Sequence, residues 1–258
     1  MIGSKKILFV SDDLALNENS NEAIFELINE NILNGASILA NGEYFNKAIE
    51  LFKNSKKFSL GVHLNIIEGK SLTNCKVLGR NGVFNLNYLQ LILLSFNKNF
   101  LNEVEVEFRA QIEKTINEFQ ALDMYPERLD SHVHTHAIPN IFKIVEKLAL
   151  EYKISYVRLQ NEYIYKSNGK YPKIINLIKI FLLKFFTFFN KKRIKRSGLK
   201  FNDFIVGVGF TGEMNKNTIE DGINSVPFGT VEVLIHAEKN SKNNRVEEYK
   251  SAKEIKLN

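Results

Sequence analysis

Short apolar runs recur along the chain and alternate with segments of helical periodicity. Each run is four to seven residues long and nearly continuous in apolar character. Such runs are typical of strands buried on both faces of a parallel sheet, and the intervening segments are long enough for crossover helices. The predicted strands are residues 7–10, 36–40, 59–65, 128–132, 154–159, 204–208 and 231–236.

Three of the intervening segments show a clear helical repeat of apolar residues. They cover residues 23–32, 104–119 and 141–148. Gly35 follows the first segment, where a glycine commonly ends a helix. Asn17 or Ser20 could cap the start of that helix. We therefore expect about seven βα units.

Polar and charged residues lie at or just past the C-terminal ends of the predicted strands. In a barrel these strand ends converge on one mouth, whereas an open doubly wound sheet spreads them along an edge. Hydrophobic pattern alone does not separate the two folds, but these polar residues favour a barrel related to the TIM fold. They are Asp12, Asp13, His63, Asn65, His132, His134, Arg158 and His236.

Length and composition indicate one domain that spans residues 1–258. The chain is 44% hydrophobic, which is enough for one sizeable core. The first apolar run begins close to Met1, with no charged leader and apolar signal region before it. The single cysteine, Cys75, cannot form an intramolecular disulfide. Both features predict a cytoplasmic location.

The basic residues are concentrated in one segment, residues 173–200, which contains no acidic residue. Without its nine cations the net charge of +6 would become −3, so the basicity is local. The segment carries no recognisable nucleic-acid recognition motif, and we expect no nucleic-acid partner. The nine cations are Lys173, Lys179, Lys184, Lys191, Lys192, Arg193, Lys195, Arg196 and Lys200.

Two segments stand apart from the βα pattern. Residues 69–100 predict a loop and a short helix that cover the mouth of the barrel. Residues 174–189 are very apolar, but two lysines interrupt them and they are shorter than the roughly 20 residues of a membrane span. A helix over residues 173–196 could be buried, could face a second copy in a homodimer, or could rest on a membrane as a basic amphipathic helix.

The segment Asp-Ser-His-Val-His-Thr-His at 130–136 holds three of the five histidines of the chain. If the strand continues, His132 and His134 point to the same side, because side chains two apart in a strand share a face. Neutral imidazoles clustered in a cavity are good ligands for a divalent metal ion. The alternative is a polar strand end whose histidines only form hydrogen bonds.

Two adjacent aspartates, Asp12 and Asp13, follow the first strand. One carboxylate could bind a cation while the other takes a proton from a water molecule at that cation. The alternative is that they cap the following helix. His63 ends another strand and taken alone is best explained as a hydrogen-bonded histidine. An aspartate and two histidines from three strands would nevertheless form an open metal site.

These motifs together resemble a known family. Ser-Asp-Asp at 11–13, Gly-Val-His-Leu-Asn at 61–65 with Glu-Gly at 68–69, and residues 129–136 with Pro139 are similar to the successive motifs of the YdjC-like carbohydrate deacetylases. The likeness continues through Arg158 and to residues 204–212 and 231–236. It implies a distorted TIM-like α/β barrel of about seven parallel strands. It also implies a Mg²⁺- or Zn²⁺-dependent enzyme that hydrolyses the acetamide of an N-acetylated amino sugar.

The resemblance assigns roles to individual residues. Arg158 would position the general base or bind a sugar hydroxyl. Asn41 and Asn65 could offer hydrogen bonds to the sugar. The resemblance makes Asp13, His63 and His132 the metal ligands, Asp12 the general base, His236 the acid that protonates the departing amine, and His134 and His136 neighbours of the ligands or substrate contacts.

Two departures from the family pattern border the expected site. Leu14-Ala15 replaces Phe-Gly after the aspartate pair, and Ala237-Glu238 replaces Pro-Gly after the late histidine. The loss of glycine at position 15 predicts a different path for the loop beside Asp13. Two other functions therefore stay open. They are a metallophosphoesterase that uses His132 and His134, and a carbohydrate-binding protein without catalytic activity.

Overall fold

In the computed structural model, which describes residues 4–255, seven strands pair in parallel into one sheet. These are β1 (Lys5–Leu14), β2 (Gly35–Ile38), β3 (Ser59–Leu64), β6 (Arg128–Ser131), β7 (Tyr156–Val157), β8 (Phe204–Val206) and β9 (Gly229–Ile235), in the order β7-β6-β3-β2-β1-β9-β8. The strands β4 (Gly79–Arg80) and β5 (Val83–Phe84) form a separate antiparallel hairpin. All seven predicted strands are present.

The helices cover the outside of this sheet. Their bounds are α1 (Glu18–Asn29), α2 (Phe45–Phe52), α3 (Tyr88–Leu94), α4 (Lys98–Gln120), α5 (Pro139–Glu151), α6 (Ile174–Ser197), α7 (Lys216–Ser225) and α8 (Arg245–Glu254), with a 3₁₀ segment at His132–Ala137.

Hydrogen bonds beyond the named strands curl the sheet towards closure. Lys200 and Tyr156 form a parallel bridge, which brings the chain before β8 to the opposite edge strand β7. Farther along, the side chain of Asn202 bonds to the backbone of Leu159, and the amide of Ile205 donates to the carbonyl of Asn161. The fold is therefore a TIM-like distorted barrel, as expected from the polar strand ends.

The first helix begins as the sequence indicates but ends differently. Asn17 caps α1, and the side chain of Ser20 returns a hydrogen bond to the backbone of Asn17. Gly35 does not end this helix. It is the first residue of β2, and a Cβ atom there would lie 2.5 Å from the carbonyl oxygen of Ser59 on β3. Close approach of two strands, rather than helix capping, explains this glycine.

Apolar side chains pack between the sheet and the helices in two clusters. One joins β1, β2 and β9 to α1 and α2, and the other joins β3 and β6 to α4, α5 and α6. The interior also holds polar groups: Ser37 on β2 donates to Asp130 and accepts from Arg128. A Cβ atom at position 61 would lie 2.3 Å from the hydroxyl of Ser37, so only glycine fits beside these groups. The interior therefore positions charged residues beneath the mouth.

The two segments that stood apart in the sequence have defined places. Residues 69–100 form the β4–β5 hairpin and α3, and the hydroxyl of Tyr88 in α3 bonds to the carbonyl of His134. The apolar basic segment forms α6. Within residues 4–255, no helix has the length and apolar character required to cross a membrane.

Candidate active site

The C-terminal ends of the strands surround a pocket of about 540 Å³. Six predicted site residues line it: Asp12, Asp13, His63, His132, His134 and His236. Apolar side chains from α6 and the loop before α7 form part of its wall, among them Leu182, Leu183 and Val208. The barrel thus brings together residues that are more than two hundred positions apart in the sequence.

Asp13 is the centre of a compact group of three possible metal ligands. Its Oδ1 atom lies 2.8 Å from Nδ1 of His132 and 3.3 Å from Nε2 of His63. One donor atom from each residue lies within 4.8 Å of the other two, and the three side chains are almost entirely buried. These residues could hold a divalent metal ion.

The neighbours of His63 support this arrangement. Its Nδ1 atom lies 2.6 Å from Asp130, which orients the ring so that Nε2 faces Asp13. Histidine ligands of metal ions usually have such a carboxylate on their second nitrogen. A second group, Asp12 with His63 and Asp130, is equally compact. Arg158 already pairs with both of its carboxylates, so this second group is a poor cation site.

Arg158 is fully buried among three carboxylates. Its Nη1 and Nη2 atoms donate to the two oxygens of Asp12 at 2.6 and 2.8 Å. Nη2 also lies 3.0 Å from Asp130, and Nε donates to Glu232 at 2.7 Å. This fork fixes the orientation of Asp12. Arg158 is not among the residues that line the pocket within the described chain, so it acts on the site through Asp12.

Two tight turns aim residues of the candidate site into the pocket. Asp13 and Ala15 have φ angles of 63° and 76°, in the left-handed region. Ala15 therefore takes a conformation that glycine adopts more easily, at a cost of about 1 kcal/mol. The replacement of glycine has not excluded a left-handed turn here.

The second turn corrects the expected geometry of the histidine motif. Strand β6 ends at Ser131, and Val133 and His134 both have left-handed φ angles, 51° and 58°. His132 and His134 line the same pocket because of this turn, not because they are two apart in a strand. The turn is not predicted from the sequence pattern, because neither valine nor histidine is a typical turn residue.

The late histidine is held by the last helix. Nδ1 of His236 lies 3.6 Å from Glu248 in α8, and the same carboxylate accepts the backbone amide of His236. Arg245, also in α8, donates to Oδ2 of Asp13 at 2.8 Å and to Glu238 at 3.1 Å. Glu238, which replaces the glycine of the family, is thus a partner of a cation that contacts Asp13.

Three other predicted residues lie outside the pocket lining of the described chain. His136 bonds to the hydroxyl of Ser131 and to the carbonyl of Arg158. The amide of Asn41 donates to the carbonyl of Lys70 at 2.9 Å, and that of Asn65 donates to the carbonyl of Glu68 at 2.9 Å. All three brace backbone near the site, and direct contact of Asn41 or Asn65 with a sugar stays a prediction.

The surroundings of the histidines raise the pKa of some and lower the pKa of others. Burial lowers the pKa of His63, but the charge of Asp12 and hydrogen bonds to Asp13 and Asp130 outweigh it and raise the pKa to about 10. Burial also lowers the pKa of His132, but hydrogen bonds to Asp13 and Glu68 outweigh it and raise the pKa to about 9. Burial and the charge of Arg158 hold the pKa of His134 well below its ordinary value.

The sequence as a whole matches the model of one protein family, YdjC-like protein, over residues 6–257. The chain belongs to the YdjC-like family.

Two relatives extend this result. The YdjC-like chain is 28% identical over 150 residues to a carbohydrate deacetylase of Clostridium beijerinckii, a match that covers 58% of each protein. The chain thus spans little more than half the length of this curated relative. A solved structure from Enterococcus faecalis, described as that of a candidate cellobiose-phosphate cleavage protein, has a TM-score of 0.70 at 18% identity. That likeness covers 97% of this chain and 90% of the other, and it supports the barrel fold.

Several charged residues of this YdjC-like site have no role predicted from the sequence. Asp130 lies inside the histidine motif, and Glu232 is a lone charge within the apolar run of β9, so both had a detectable signal. Glu68 lies on the loop after β3, and its carboxylate is 2.8 Å from Nε2 of His132. Arg245 and Glu248 come from α8, whose pattern gives no sign that it faces the site.

The raised pKa values predict proton release when this YdjC-like site takes up a metal ion. Both imidazoles hold a proton at pH 7 without metal, since their pKa values are about 10 and 9. A metal ligand must be the neutral imidazole, so binding displaces both protons. Calorimetry of Zn²⁺ binding to metal-free protein in buffers of different ionisation enthalpy should give about two protons released. The number should fall as the pH rises through 9 to 10, and release of less than one proton at pH 7 would contradict this placement.

Proposed function

We propose that the protein removes the acetyl group from an N-acetylated amino sugar in a metal-dependent hydrolysis. The observation that carries the proposal is the arrangement of one pocket. It holds the compact group Asp13, His63 and His132 between a fixed carboxylate, Asp12, and a histidine with a carboxylate partner, His236. The family and the named deacetylase relative support the same chemistry.

The donor set of the site suits zinc. Two imidazoles and one carboxylate are the ligands of many catalytic zinc sites, whereas Mg²⁺ prefers oxygen ligands. We therefore place Zn²⁺ or a similar transition ion, rather than Mg²⁺, on Asp13, His63 and His132. Such an ion supplies two effects when bound: it makes a water molecule more acidic and withdraws electrons from the acetyl carbonyl.

Asp12 accepts the proton of the attacking water. Arg158 donates to both of its oxygens, but a carboxylate has about four acceptor positions, so capacity for a proton remains. The two hydrogen bonds from Arg158 also keep Asp12 from turning away from the pocket. Asp12 and Asp13 are neighbours in the chain, yet Arg158 and the two imidazoles direct them to different tasks.

His236 donates a proton to the departing nitrogen. Burial lowers its pKa, but the hydrogen bond and charge of Glu248, with the charge of Asp13, outweigh burial and raise the pKa above its ordinary value. An imidazole with a raised pKa keeps its proton to a higher pH, which suits the task, because an amine leaves far more easily than an amide anion. Glu248 faces Nδ1, so Nε2 is the atom that donates.

The test is acetate release from a panel of N-acetylated mono- and oligosaccharides and nucleotide-linked amino sugars, with and without a chelator. We expect release from at least one class of sugar, loss of activity with the chelator, and recovery on addition of Zn²⁺. Phosphate esters assayed in parallel test the phosphoesterase alternative. Sugar binding with bound metal and no acetate would favour a protein that only binds carbohydrate.

A further inference from the structure

Helix α6 exposes an apolar stripe along the N-terminal part of its outer face. Ile174, Ile178, Phe181, Phe185 and Phe188 recur at intervals of three and four residues and are between 56% and 76% exposed. Intervals of this kind place all five side chains on one face of a helix, over about 20 Å. A stripe of large exposed apolar groups on a single face marks a surface that contacts a partner or a membrane.

The opposite face of α6 is already used. Asn176, Ile180, Leu183 and Ile194 are buried against the barrel. Packing against the barrel therefore explains the apolar residues on the buried face of α6, but not those of the exposed stripe. The stripe is not required for the fold, and its side chains lie in solvent.

The charges around the stripe identify its partner. Residues 163–202 contain eleven lysines and arginines and no acidic residue. Towards the C-terminal end of α6, exposed cations replace the apolar residues on the same face. They are Lys192, Lys195 and Arg196. A helix that presents aromatic and aliphatic side chains with cations beside them is suited to the interface of an anionic lipid bilayer.

A second copy of this chain fits the stripe less well. Two such faces in a symmetric dimer would bring together two segments that carry positive charge only, with no carboxylate from residues 163–202 to balance them. Like charges held together across an interface are unfavourable. An anionic lipid surface supplies the missing counter-charges.

The helix that carries the stripe also forms part of the pocket wall, as does α3. Lys179 and Leu182 of α6 and Tyr88 of α3 all line the pocket. On α3 the next residues also expose apolar side chains, with Leu89 at 64% and Leu93 at 65%. Two helices at the pocket wall thus carry apolar groups on their outer sides. A membrane bound there would lie close to the entrance of the site.

We propose that α6, together with α3, docks the protein on the surface of an anionic membrane and brings the pocket to that surface. The substrate class follows from this placement and rests on the proposed function: the N-acetylated sugar is attached to a lipid. The partly apolar pocket wall on the same helices accommodates the part of the substrate nearest the lipid.

Flotation of the purified full chain with vesicles tests docking without any use of activity. We expect the protein to float with vesicles of phosphatidylcholine and phosphatidylglycerol and not with phosphatidylcholine alone, and to be released by high salt. The triple variant Phe181→Ser, Phe185→Ser, Phe188→Ser should lose flotation. Val106→Ser, Leu150→Ser, Phe228→Ser is the matched control, because these residues are similarly exposed elsewhere, and it should float.

A second variant measures how much the cations of α6 contribute to membrane binding, apart from its apolar side chains. Lys192→Gln, Lys195→Gln, Arg196→Gln should weaken binding to anionic vesicles at least about tenfold, because each cation near such a surface contributes roughly a factor of five. Sedimentation of each variant in free solution gives its oligomeric state. No flotation of the parent protein, or a dimer that the phenylalanine variant dissociates, would overturn docking.

Acetate release distinguishes the substrate proposal from the proposed function. A lipid that carries a single N-acetylglucosamine is presented in anionic vesicles, and the same sugar as a short soluble glycoside is the comparison. We expect the phenylalanine variant to lose at least tenfold on the vesicle substrate and to match the parent on the soluble one. Equal rates of the two proteins on vesicles would overturn the substrate class. No acetate from either substrate, with flotation intact, would count against the deacetylase alone.

Discussion

Asp12→Asn is expected to lower the rate of acetate release by a factor of roughly 10² to 10⁴, the usual contribution of a general base. Asparagine has the same shape but does not accept the proton of the attacking water. Asp13, His63 and His132 are unchanged, so the variant should still bind one equivalent of metal. The measurement is the turnover rate at saturating substrate, with metal content determined in the same samples.

The matched control is Asp123→Asn. This carboxylate is highly exposed and pairs with Lys57 on the surface, so its replacement should leave turnover and metal content unchanged. If Asp12→Asn kept more than about a tenth of the parent rate with its metal in place, another group would have to be the base. Loss of metal together with activity would indicate that Asp12 serves the ligand group instead.

Arg158→Met is expected to lower the free energy of unfolding by about 3–5 kcal/mol, because it leaves buried carboxylates without their counter-charge. Asp12, Asp130 and Glu232 all contact this guanidinium, and each is almost completely buried. A loss of this size is a large part of the stability of an ordinary domain, which is about 5–15 kcal/mol. Denaturant unfolding of both proteins at pH 8 measures it.

The loss should shrink as the pH falls towards 5. Without Arg158 the native variant binds protons at its buried carboxylates at a higher pH than the unfolded chain does, so lower pH favours the native state. Arg80→Met is the control, since Arg80 is exposed on β4 and its replacement should change stability by less than about 0.5 kcal/mol. A pH-independent loss in Arg158→Met would point to altered packing rather than to unpaired charge.

Hydrophobic pattern was sufficient to locate the strands in the sequence but not to predict all of their lengths. Each predicted strand matches one strand of the sheet, because a strand buried on both faces needs a continuous apolar run. The strand expected at 154–159 retains regular pairing only at Tyr156–Val157, since the chain there bonds to residues 200–205 through side chains and isolated bridges. Such contacts depend on barrel closure, which no local pattern records.

The site was predictable where chemistry and strand position coincide. Asp12, Asp13, His63, His132, His134 and His236 all lie within or just past the C-terminal ends of strands, and all line the pocket. What escaped prediction depends on tertiary contact. The turn at Val133 places His134, α8 delivers Arg245 to Asp13, and Asn41 is engaged with the loop that carries Glu68.

The strand order has a consequence for how the chain is assembled during synthesis. Among the seven strands of the sheet β1 is made first, yet it lies inside the sheet, between β2 and β9, and β9 is made last. Glu232 on β9 is also a partner of Arg158. A nascent chain that stops before β9 therefore leaves β1 with an open edge and Arg158 without one of its carboxylates. Such an intermediate is exposed to aggregation until β9 has emerged and paired with β1, and a chaperone that shields strand edges should raise the yield of folded protein.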